Sequence, residues 1–442
     1  MKKLVVFSAI AVLLAASVFA QSDEDFFFDD GIIEQDENIS GDYDLSHGTL
    51  FENGSIKIGG LFSTSLGTTT TLWAEDSDDF GENLKNTTLT PTASAFLTVD
   101  ARPTQTLRMY TKFGFAYPFG SRLNPDYIKV KELFTDFSVA DRAFFRFGVH
   151  TVTWGTGYFF SPVSDMINTS SIDPENVSEQ VDGALNLRTQ ITFPGTQNCL
   201  WLYVIPTSDY QNPLLRDTGF AGKADIVVGN WELGVGGFYK YDSAPKVMFT
   251  ASGSLQKVSF FGEFVYQYGA DAEWKPYDNP FLASLVPNAK TDGKTNIVQA
   301  TAGLSYFWKE PSITLAAQYY YDGNDVDIAH YYITAGHNFA VVANFGRLFG
   351  TTDLSATVFG MINYGKGELN ADTSSLPPAL QPYVEEMVKN IPLNSITTSA
   401  MLNYSPVSAF TVSAGPYLTW EAVDSKPKVA MKITAKLGGG KF

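Results

Sequence analysis

The chain has 442 residues, of which 44% are hydrophobic and 14% aromatic, and its formal net charge is −17. This acidic balance argues against nucleic acid as a partner. After the N-terminal leader, no stretch is apolar over the ~20 residues that a membrane-spanning helix needs. The single cysteine, Cys199, excludes an internal disulfide, and the four histidines show no metal-ligand spacing, so we expect neither a metal site nor a cofactor.

The first residues have the pattern of an export signal. Lys2 and Lys3 precede an apolar segment at residues 4–16, and the small residue Ala20 stands before Gln21. This pattern predicts a signal peptide, residues 1–20, that is cleaved after Ala20, and therefore a protein of the bacterial envelope.

Residues 21–53 differ in composition from the rest of the chain, because acidic residues crowd around Phe26, Phe27 and Phe28. Two interpretations are open. The favoured one is a disordered acidic extension in the periplasm. The other is a plug, anchored by the three phenylalanines, that folds into the mouth of the domain that follows.

Residues 54–442 repeat one pattern: segments of roughly ten residues alternate apolar and polar side chains and are separated by turn residues. Behind an export signal, this pattern predicts an all-β fold, a single transmembrane antiparallel β-barrel with no open edge. A soluble β-sandwich also alternates, but the leader and the length of the segments favour the barrel. In the segment at residues 428–437, the apolar side consists of Val429, Met431, Ile433 and Leu437, and the polar side of Lys428, Lys432 and Lys436.

About eighteen candidate strands can be delimited, among them residues 56–66 and 142–152. Allowing for false divisions, we expect about 16 strands, within a range of about 14 to 18. The long connections at residues 154–182, 269–295 and 364–393 should lie on the extracellular side. The last of them predicts a short helix, inside the mouth or against the rim, with Pro382 at its start and an apolar face formed by Val384, Met387, Val388 and Ile391.

The richest local pattern lies in residues 127–182. Alternation places Arg142, Arg146 and His150 on the lumen side of one strand. Glu132 and Asp136 of the preceding strand share this side, and we expect them to pair with Arg142 and Arg146, because charges in a barrel wall need partners or solvent.

The segment after this strand has the composition of an ordered loop. Gly155 and Gly157 permit backbone conformations that other residues avoid, and Trp154 can anchor the loop at the interface or against the wall. Asp165 and Asn168 can bond the local backbone and hold the turn. Two roles are open for the loop: a constriction of a pore, or a segment that only closes the fold.

A hypothesis on selectivity follows from the charged side chains. Arg108, Lys112, Arg146 and Arg188 are expected to form a basic strip beside acidic residues, and charged groups on a pore wall set ion or solute preference. Reversing the charge at Arg146 should then alter ion selectivity. The expected pore-lining residues are Arg108, Lys112, Glu132, Asp136, Arg142, Arg146, His150, Arg188 and Glu263.

The run from Arg146 to Gly155, Arg-x-Gly-x-His-x-x-x-Trp-Gly, together with Asp165 and Asn168, resembles a motif of porin-like outer-membrane families that include alginate-export-like barrels. Those families often have Gly-Arg/Lys-Gln before the Trp-Gly, where this chain has Gly148-Val149-His150. The resemblance covers about sixty residues strongly, and it implies a strand that leads into a fixed loop near the pore mouth.

The pattern as a whole predicts a porin-like channel of the outer membrane for passive diffusion of small hydrophilic solutes. Two alternatives are a barrel similar to fatty-acid transporters, which takes hydrophobic ligands, and a surface adhesin without an open pore. We expect no enzyme, because no cluster of Ser, His and carboxylate stands out. The expected partners are outer-membrane lipid, small solutes, and the barrel-assembly machinery through the C-terminal aromatic Phe442; a homo-oligomer is left open.

Overall fold

The computed structural model describes residues 48–73, 80–117, 128–140, 142–206, 214–241, 243–269, 296–324, 335–365, 378, 380–383, 394–407, 409–422, 424 and 426–441. The expected signal peptide, the acidic extension up to residue 47 and Phe442 lie outside these residues. So does the helix expected at residues 382–391, apart from its first two positions.

In the described part of the chain, nineteen strands form one antiparallel sheet. Among the described residues, a short helix, α1, covers Phe80–Lys85, residues 381–383 are helical, and 3-10 turns cover Ser164–Met166 and Leu215–Asp217. None of the described helices is long and apolar enough to cross a membrane. The strands are β1 Gly48–Asn53, β2 Ile56–Trp73, β3 Thr88–Thr104, β4 Leu107–Tyr117, β5 Ile128–Val139, β6 Ala143–Val149, β7 Leu185–Thr192, β8 Cys199–Ile205, β9 Gly219–Val228, β10 Trp231–Lys240, β11 Ser243–Leu255, β12 Val258–Tyr268, β13 Asn296–Trp308, β14 Ile313–Asp322, β15 Gly336–Phe345, β16 Leu354–Tyr364, β17 Asn394–Val407, β18 Phe410–Glu421 and β19 Lys428–Lys441.

The sheet closes on itself, because β19 pairs with β2 from Trp73↔Val429 to Leu61↔Lys441. Strands β2 to β19 therefore form a barrel of eighteen strands. The short β1 pairs with the first residues of β2 and extends the sheet, which begins at Gly48 rather than at residue 54. The expected value of about 16 strands is wrong, and the observed eighteen lie at the upper limit of the expected range. Even the seven-residue strands β6 and β8 are separate strands of the wall, so the number of strands did not have to be set below the number of candidate segments.

The two faces of the wall have inverted polarity compared with a soluble protein. Phe147 on the outer face is 50% exposed, whereas its neighbour Arg146 on the inner face is 1% exposed. The same contrast holds along β12, where Phe264 is exposed and Glu263 buried. An apolar outer surface around a polar interior is the arrangement that a barrel in lipid requires, and it excludes a soluble sandwich.

The longest connections all lie at one end of the barrel. The connections after β3, β5, β9 and β11 are turns of two or three residues, whereas those after β4, β6, β12, β14 and β16 span ten residues or more. In outer-membrane barrels the end with long loops is extracellular.

Two segments differ in extent from the prediction. Strand β2 runs seven residues beyond its expected end at Leu66, because its second half is rich in Thr and shows little contrast between its faces. Conversely, β6 ends at Val149, three residues before the expected end at Val152, because the chain leaves the wall there and enters the interior.

Candidate functional site: a loop folded into the barrel

Residues 150–184, here called the inward loop, connect β6 to β7 through the barrel interior. Side chains from β4, β5, β9, β12, β14 and β18 bond to this loop. These strands are distributed around most of the circumference. The loop therefore crosses the lumen rather than covering its rim.

Glu263 on β12 is the principal anchor of the inward loop. Its Oε1 accepts hydrogen bonds from the backbone N–H groups of Thr156 at 2.5 Å and Gly157 at 2.6 Å, and from the Ser161 hydroxyl at 2.9 Å. Its Oε2 accepts a bond from the Val163 N–H at 2.9 Å. A buried carboxylate needs such donors, and bonds of this type are stronger than those between neutral groups.

Two further side chains fix the loop backbone. Gln318 on β14 accepts bonds through Oε1 from the N–H groups of Tyr158 and Phe159, at 3.0 and 2.7 Å, and its Nε2 donates to the Phe160 carbonyl at 2.7 Å. Lys223 on β9 donates to the Trp154 carbonyl at 2.8 Å. Three strands thus bind the segment after Trp154 mainly through its backbone.

Gly155 and Gly157 are required by close approach. A Cβ on Gly155 would lie 2.1 Å from the Ser161 hydroxyl oxygen and 2.5 Å from a Glu263 carboxylate oxygen. A Cβ on Gly157 would lie 1.9 Å from the Phe160 carbonyl oxygen. The sequence analysis attributed these glycines to backbone conformation, but the absence of a side chain is what allows the loop to reach its anchors.

Asn168 and Trp154 bond to the backbone of the loop itself. Asn168 accepts a bond from the N–H of Val152 and donates to its carbonyl, both at 2.8 Å, and so closes the base of the loop. The Trp154 indole donates to the Val163 carbonyl at 2.7 Å, and its ring packs edge-on against Tyr203 of β8 with centroids 4.9 Å apart.

The Asp165 carboxyl lies buried within the inward loop. Burial raises the pKa of its carboxyl to about 7, and the charges of Glu263 and Asp322 act in the same direction, while a bond from Ser171 and the charge of Lys246 oppose it. Its Oδ1 has no hydrogen-bond partner among the described residues. The inward loop therefore contains a carboxyl group that titrates near neutral pH.

Apolar side chains also hold the loop in place. One cluster joins loop residues to β8, β9, β11 and β12, and a second joins Phe159 and Phe160 to β14, β15 and β16. Cys199 belongs to the first cluster and is buried on the interior side. Because both clusters are buried, the loop is a packed part of the structure.

Three members of the predicted basic strip, Arg108, Arg146 and Arg188, lie buried on the interior face. The Arg146 guanidinium contacts both Asp136 oxygens, at 2.7 and 3.0 Å, and Arg108 bonds to Asp100 at 2.9 Å and to Asp136 at 3.4 Å. Arg146 also stacks on the Phe134 ring, at 3.9 Å from its centroid. We call Asp100, Arg108, Asp136, Arg146 and Arg188 the arginine wall.

The arginine wall is covered by the start of the inward loop. His150 interacts electrostatically with Arg146 and Arg188 and packs edge-on against Phe134. His150 is fully buried, and each of the five arginine-wall residues is at most 8% exposed. Asp136 and Arg146 form an ion pair, but these charges are buried between the wall and the loop and do not face open space.

The remaining predicted residues occupy different places. Lys112 bonds to Gln180 of the inward loop at 2.8 Å and lies opposite Glu132 in the β4–β5 register. The expected pairing of Arg142 with these acids is wrong, because Arg142 lies in the turn before β6 and its side chain is exposed.

An open part of the lumen remains on the other side of the inward loop. A cavity of about 490 Å³ separates loop residues 174–178 from β15–β19. Its polar lining includes Asn344, Thr357, Ser399, Tyr417 and Lys432. Sequence reasoning missed this surface, although the alternation of β19 already placed Lys432 on a polar face.

The interior of the adjoining strands is rich in hydroxyl groups. In the closing register, Ser65 and Thr69 of β2 lie opposite Lys436 and Lys432 of β19, and Ser65 lies opposite Thr92 of β3, with the two hydroxyls 2.5 Å apart. These side chains are partly or largely exposed. We call Ser65, Thr69, Thr92, Ser399, Lys432 and Lys436 the hydroxyl wall.

No family model matches the chain, and no curated protein matches it. Among solved structures, the outer membrane protein opdK from Pseudomonas aeruginosa has a TM-score of 0.51 at 9% identity, over 86% of this chain and 98% of that chain. A BenF-like porin from Pseudomonas fluorescens has a TM-score of 0.49 at 8% identity, over 87% of this chain and 98% of that one. The likeness to opdK shows that the chain has the fold of an outer-membrane β-barrel. No three metal-ligating side chains are grouped to hold a metal ion within the described part of the chain.

Proposed function

We propose that the protein is a porin-like channel of the bacterial outer membrane, through which small hydrophilic solutes diffuse passively. The observation that carries the proposal is the asymmetric interior of a closed barrel. The inward loop fills one side of the lumen, and a polar, partly exposed hydroxyl wall borders the other side. A polar interior within an apolar outer surface suits the passage of hydrated solutes across lipid.

The geometry also favours a fixed constriction. Four hydrogen bonds to Glu263 and two apolar clusters hold the inward loop in place. Because the loop is already ordered, it loses little further conformational entropy when a solute enters. The two roles left open by the sequence are therefore combined: the loop closes the fold on one side and narrows the passage on the other.

Several narrower statements belong to the same proposal. The proposed location in the outer membrane is supported by the export signal and the apolar outer surface. Passive diffusion through a channel requires no enzymatic activity. The kinship with alginate-export-like barrels, the recognition of Phe442 by the assembly machinery, and a homo-oligomer remain predictions.

The test is to refold the mature chain, residues 21–442, and to measure single-channel conductance in a planar bilayer with ion selectivity under a salt gradient. Liposome swelling with sugars of increasing size would add a size limit. Steady openings with a defined selectivity support the proposal. A folded but silent barrel would contradict it and would favour a hydrophobic-ligand transporter or a surface adhesin.

A second chain that lacks residues 21–47 separates the two interpretations of the acidic extension. This deletion keeps β1, which pairs with β2. A plug predicts a larger conductance after the deletion, whereas a free extension predicts the same conductance.

A further inference from the structure

The tip of the inward loop contacts the far side of the barrel at one tyrosine. The Tyr417 hydroxyl of β18 lies 3.1 and 3.2 Å from the two carboxylate oxygens of Glu175 and donates to them. On the same ring, the Lys432 ammonium of β19 lies 3.3 Å from the centroid. A carboxylate, an aromatic ring and a cation thus meet beside the open cavity.

The loop tip is folded so that it presents Glu175. Asp173 accepts a bond from the Glu175 N–H through its side chain at 2.9 Å, and its carbonyl accepts one from the Asn176 N–H at 3.0 Å. The Asn176 carbonyl in turn accepts a bond from the Glu179 N–H at 2.9 Å. This local turn restricts the tip before it reaches Tyr417, so the contact costs less conformational entropy.

The contact lies at a boundary of the passage. Glu175, Tyr417 and Lys432 all line the cavity of about 490 Å³ between the loop and β15–β19. On its other side, the loop is bound to β4 through Gln180 and to β5 through Asp182. The Glu175–Tyr417 contact therefore ties the tip to β18 across the cavity, and Val177 of the tip also packs against the apolar cluster on β14, β15 and β16.

We infer that Glu175, Tyr417 and Lys432 form the constriction of the passage and set its ion preference; this inference rests on the proposed channel function. The Tyr417 hydroxyl holds the tip against the wall. The negative charge of Glu175 and the positive charge of Lys432 offset each other at this point. Charges within a narrow passage act on an ion at short range, whereas the remaining charges of the chain are screened over about 8–10 Å at ordinary ionic strength.

The three residues make separable predictions. Glu175→Gln leaves Lys432 unbalanced and should shift the reversal potential towards anion preference. Lys432→Gln should shift it in the opposite direction. Tyr417→Phe keeps both charges and the ring but removes the hydroxyl, so it should release the tip and raise conductance or its fluctuations with a smaller change in ion preference.

Matched controls are available on surfaces away from the passage. Lys309 and Glu310 lie in the short turn between β13 and β14, and Lys309→Gln and Glu310→Gln change the same charges. Tyr404 is an exposed tyrosine on β17, and Tyr404→Phe controls for loss of a hydroxyl. All three controls should leave reversal potential and conductance unchanged.

The experiment measures the variants in planar bilayers and, separately, the rate at which a glutamate-specific protease cleaves the loop tip of the folded barrel. Tyr417→Phe should be cleaved faster than wild type and Tyr404→Phe should not. If the wild type conducts but the reversal potentials of the two charge variants shift in the same direction or not at all, Glu175 and Lys432 do not set the ion preference and the inference is wrong. If the wild type does not conduct, the proposed channel function fails. Independently of conductance, an unchanged cleavage rate in Tyr417→Phe would show that the Tyr417 hydroxyl does not hold the loop tip.

Discussion

The arginine wall and the hydroxyl wall are built by the same strand alternation but have different environments. In the arginine wall, Arg146 and Asp136 are 1% and 3% exposed, and their charges are paired with each other. In the hydroxyl wall, Ser65 and Lys432 keep part of their surface open to the lumen. Both face inward, so period-two alternation alone does not separate them.

The inward loop makes the difference. It covers the interior next to β6 and β7, whereas next to β17–β19 a cavity remains that the loop crosses at the Glu175–Tyr417 contact. Buried charges must be paired, and a charge exposed to water tolerates a weaker partner. The comparison teaches that a charged residue on the inner face of a barrel can serve folding or permeation, according to what covers it.

The largest expected effect comes from breaking the arginine wall. Arg146→Ala leaves Asp136 buried without its main partner and should lower the free energy of unfolding by about 3–5 kcal/mol. Urea unfolding of the refolded barrel in detergent measures this. Arg142→Ala, at an exposed turn, is the control and should change it by no more than about 0.5 kcal/mol. If Arg146→Ala keeps the stability of the wild type but alters ion selectivity, the prediction is wrong and Arg146 faces the open pore.

The second prediction concerns the anchor of the inward loop. Glu263→Ala leaves the N–H groups of Thr156, Gly157 and Val163 without their acceptor, and each buried unsatisfied donor costs about 1–3 kcal/mol. We expect the loop to detach partly, so that conductance and protease sensitivity rise. Single-channel recording and limited proteolysis measure the two effects.

Thr301 provides the matched control for this anchor. It lies directly opposite Glu263 in the β12–β13 register, and its buried hydroxyl has no hydrogen-bond partner among the described residues. Thr301→Val should leave conductance unchanged. Equal conductance in Glu263→Ala and wild type would show that the anchor does not restrict the passage.

The third prediction concerns pH. The pKa of Asp165 is raised to about 7 from its ordinary value of 3.8, so the folded protein keeps a proton that the unfolded chain has released. The stability from this group is complete below about pH 4 and is lost as pH rises through about 7. Asp165→Asn should flatten this part of the profile, measured as unfolding free energy at about pH 5 and about pH 8. An identical pH dependence in the variant would refute the assignment.

The smallest effect is expected in the hydroxyl wall. Ser65→Ala removes one bond between neutral, exposed hydroxyls, and the free energy of unfolding should fall by no more than about 0.5–1 kcal/mol. Thermal unfolding of the barrel, with Thr68→Ala on the outer face of the same strand as the control, measures it. A loss as large as that of Arg146→Ala would mean that the two walls do not differ.

Much of the barrel could be predicted from the sequence. Alternation identified the strands and their faces, as in β19, and the Trp154–Gly155 motif identified an ordered loop. The number of strands was underestimated, and the end of β6 was misplaced, because neither depends on local pattern alone. Arg142 was assigned to the lumen because its parity is correct, but parity does not tell where a strand begins.

The anchors of the loop could not be predicted in the same way. Glu263 was recognised as a lumen residue, but nothing near it in the chain indicates that it binds residues 156–163, about 100 positions away. Gln318 and Tyr417 lie about 160 and 242 positions from the loop residues that they bind. Contacts over such separations depend on how the whole sheet closes.

The sequence by itself therefore determined that this protein is a closed barrel with an apolar exterior and a polar interior, because the two-residue period of a strand sorts side chains to opposite faces. Only the tertiary structure decided that the inward loop covers the arginine wall and leaves the hydroxyl wall open. The direction of that loop follows from hydrogen bonds and apolar contacts with distant strands, which exist only once the barrel has closed.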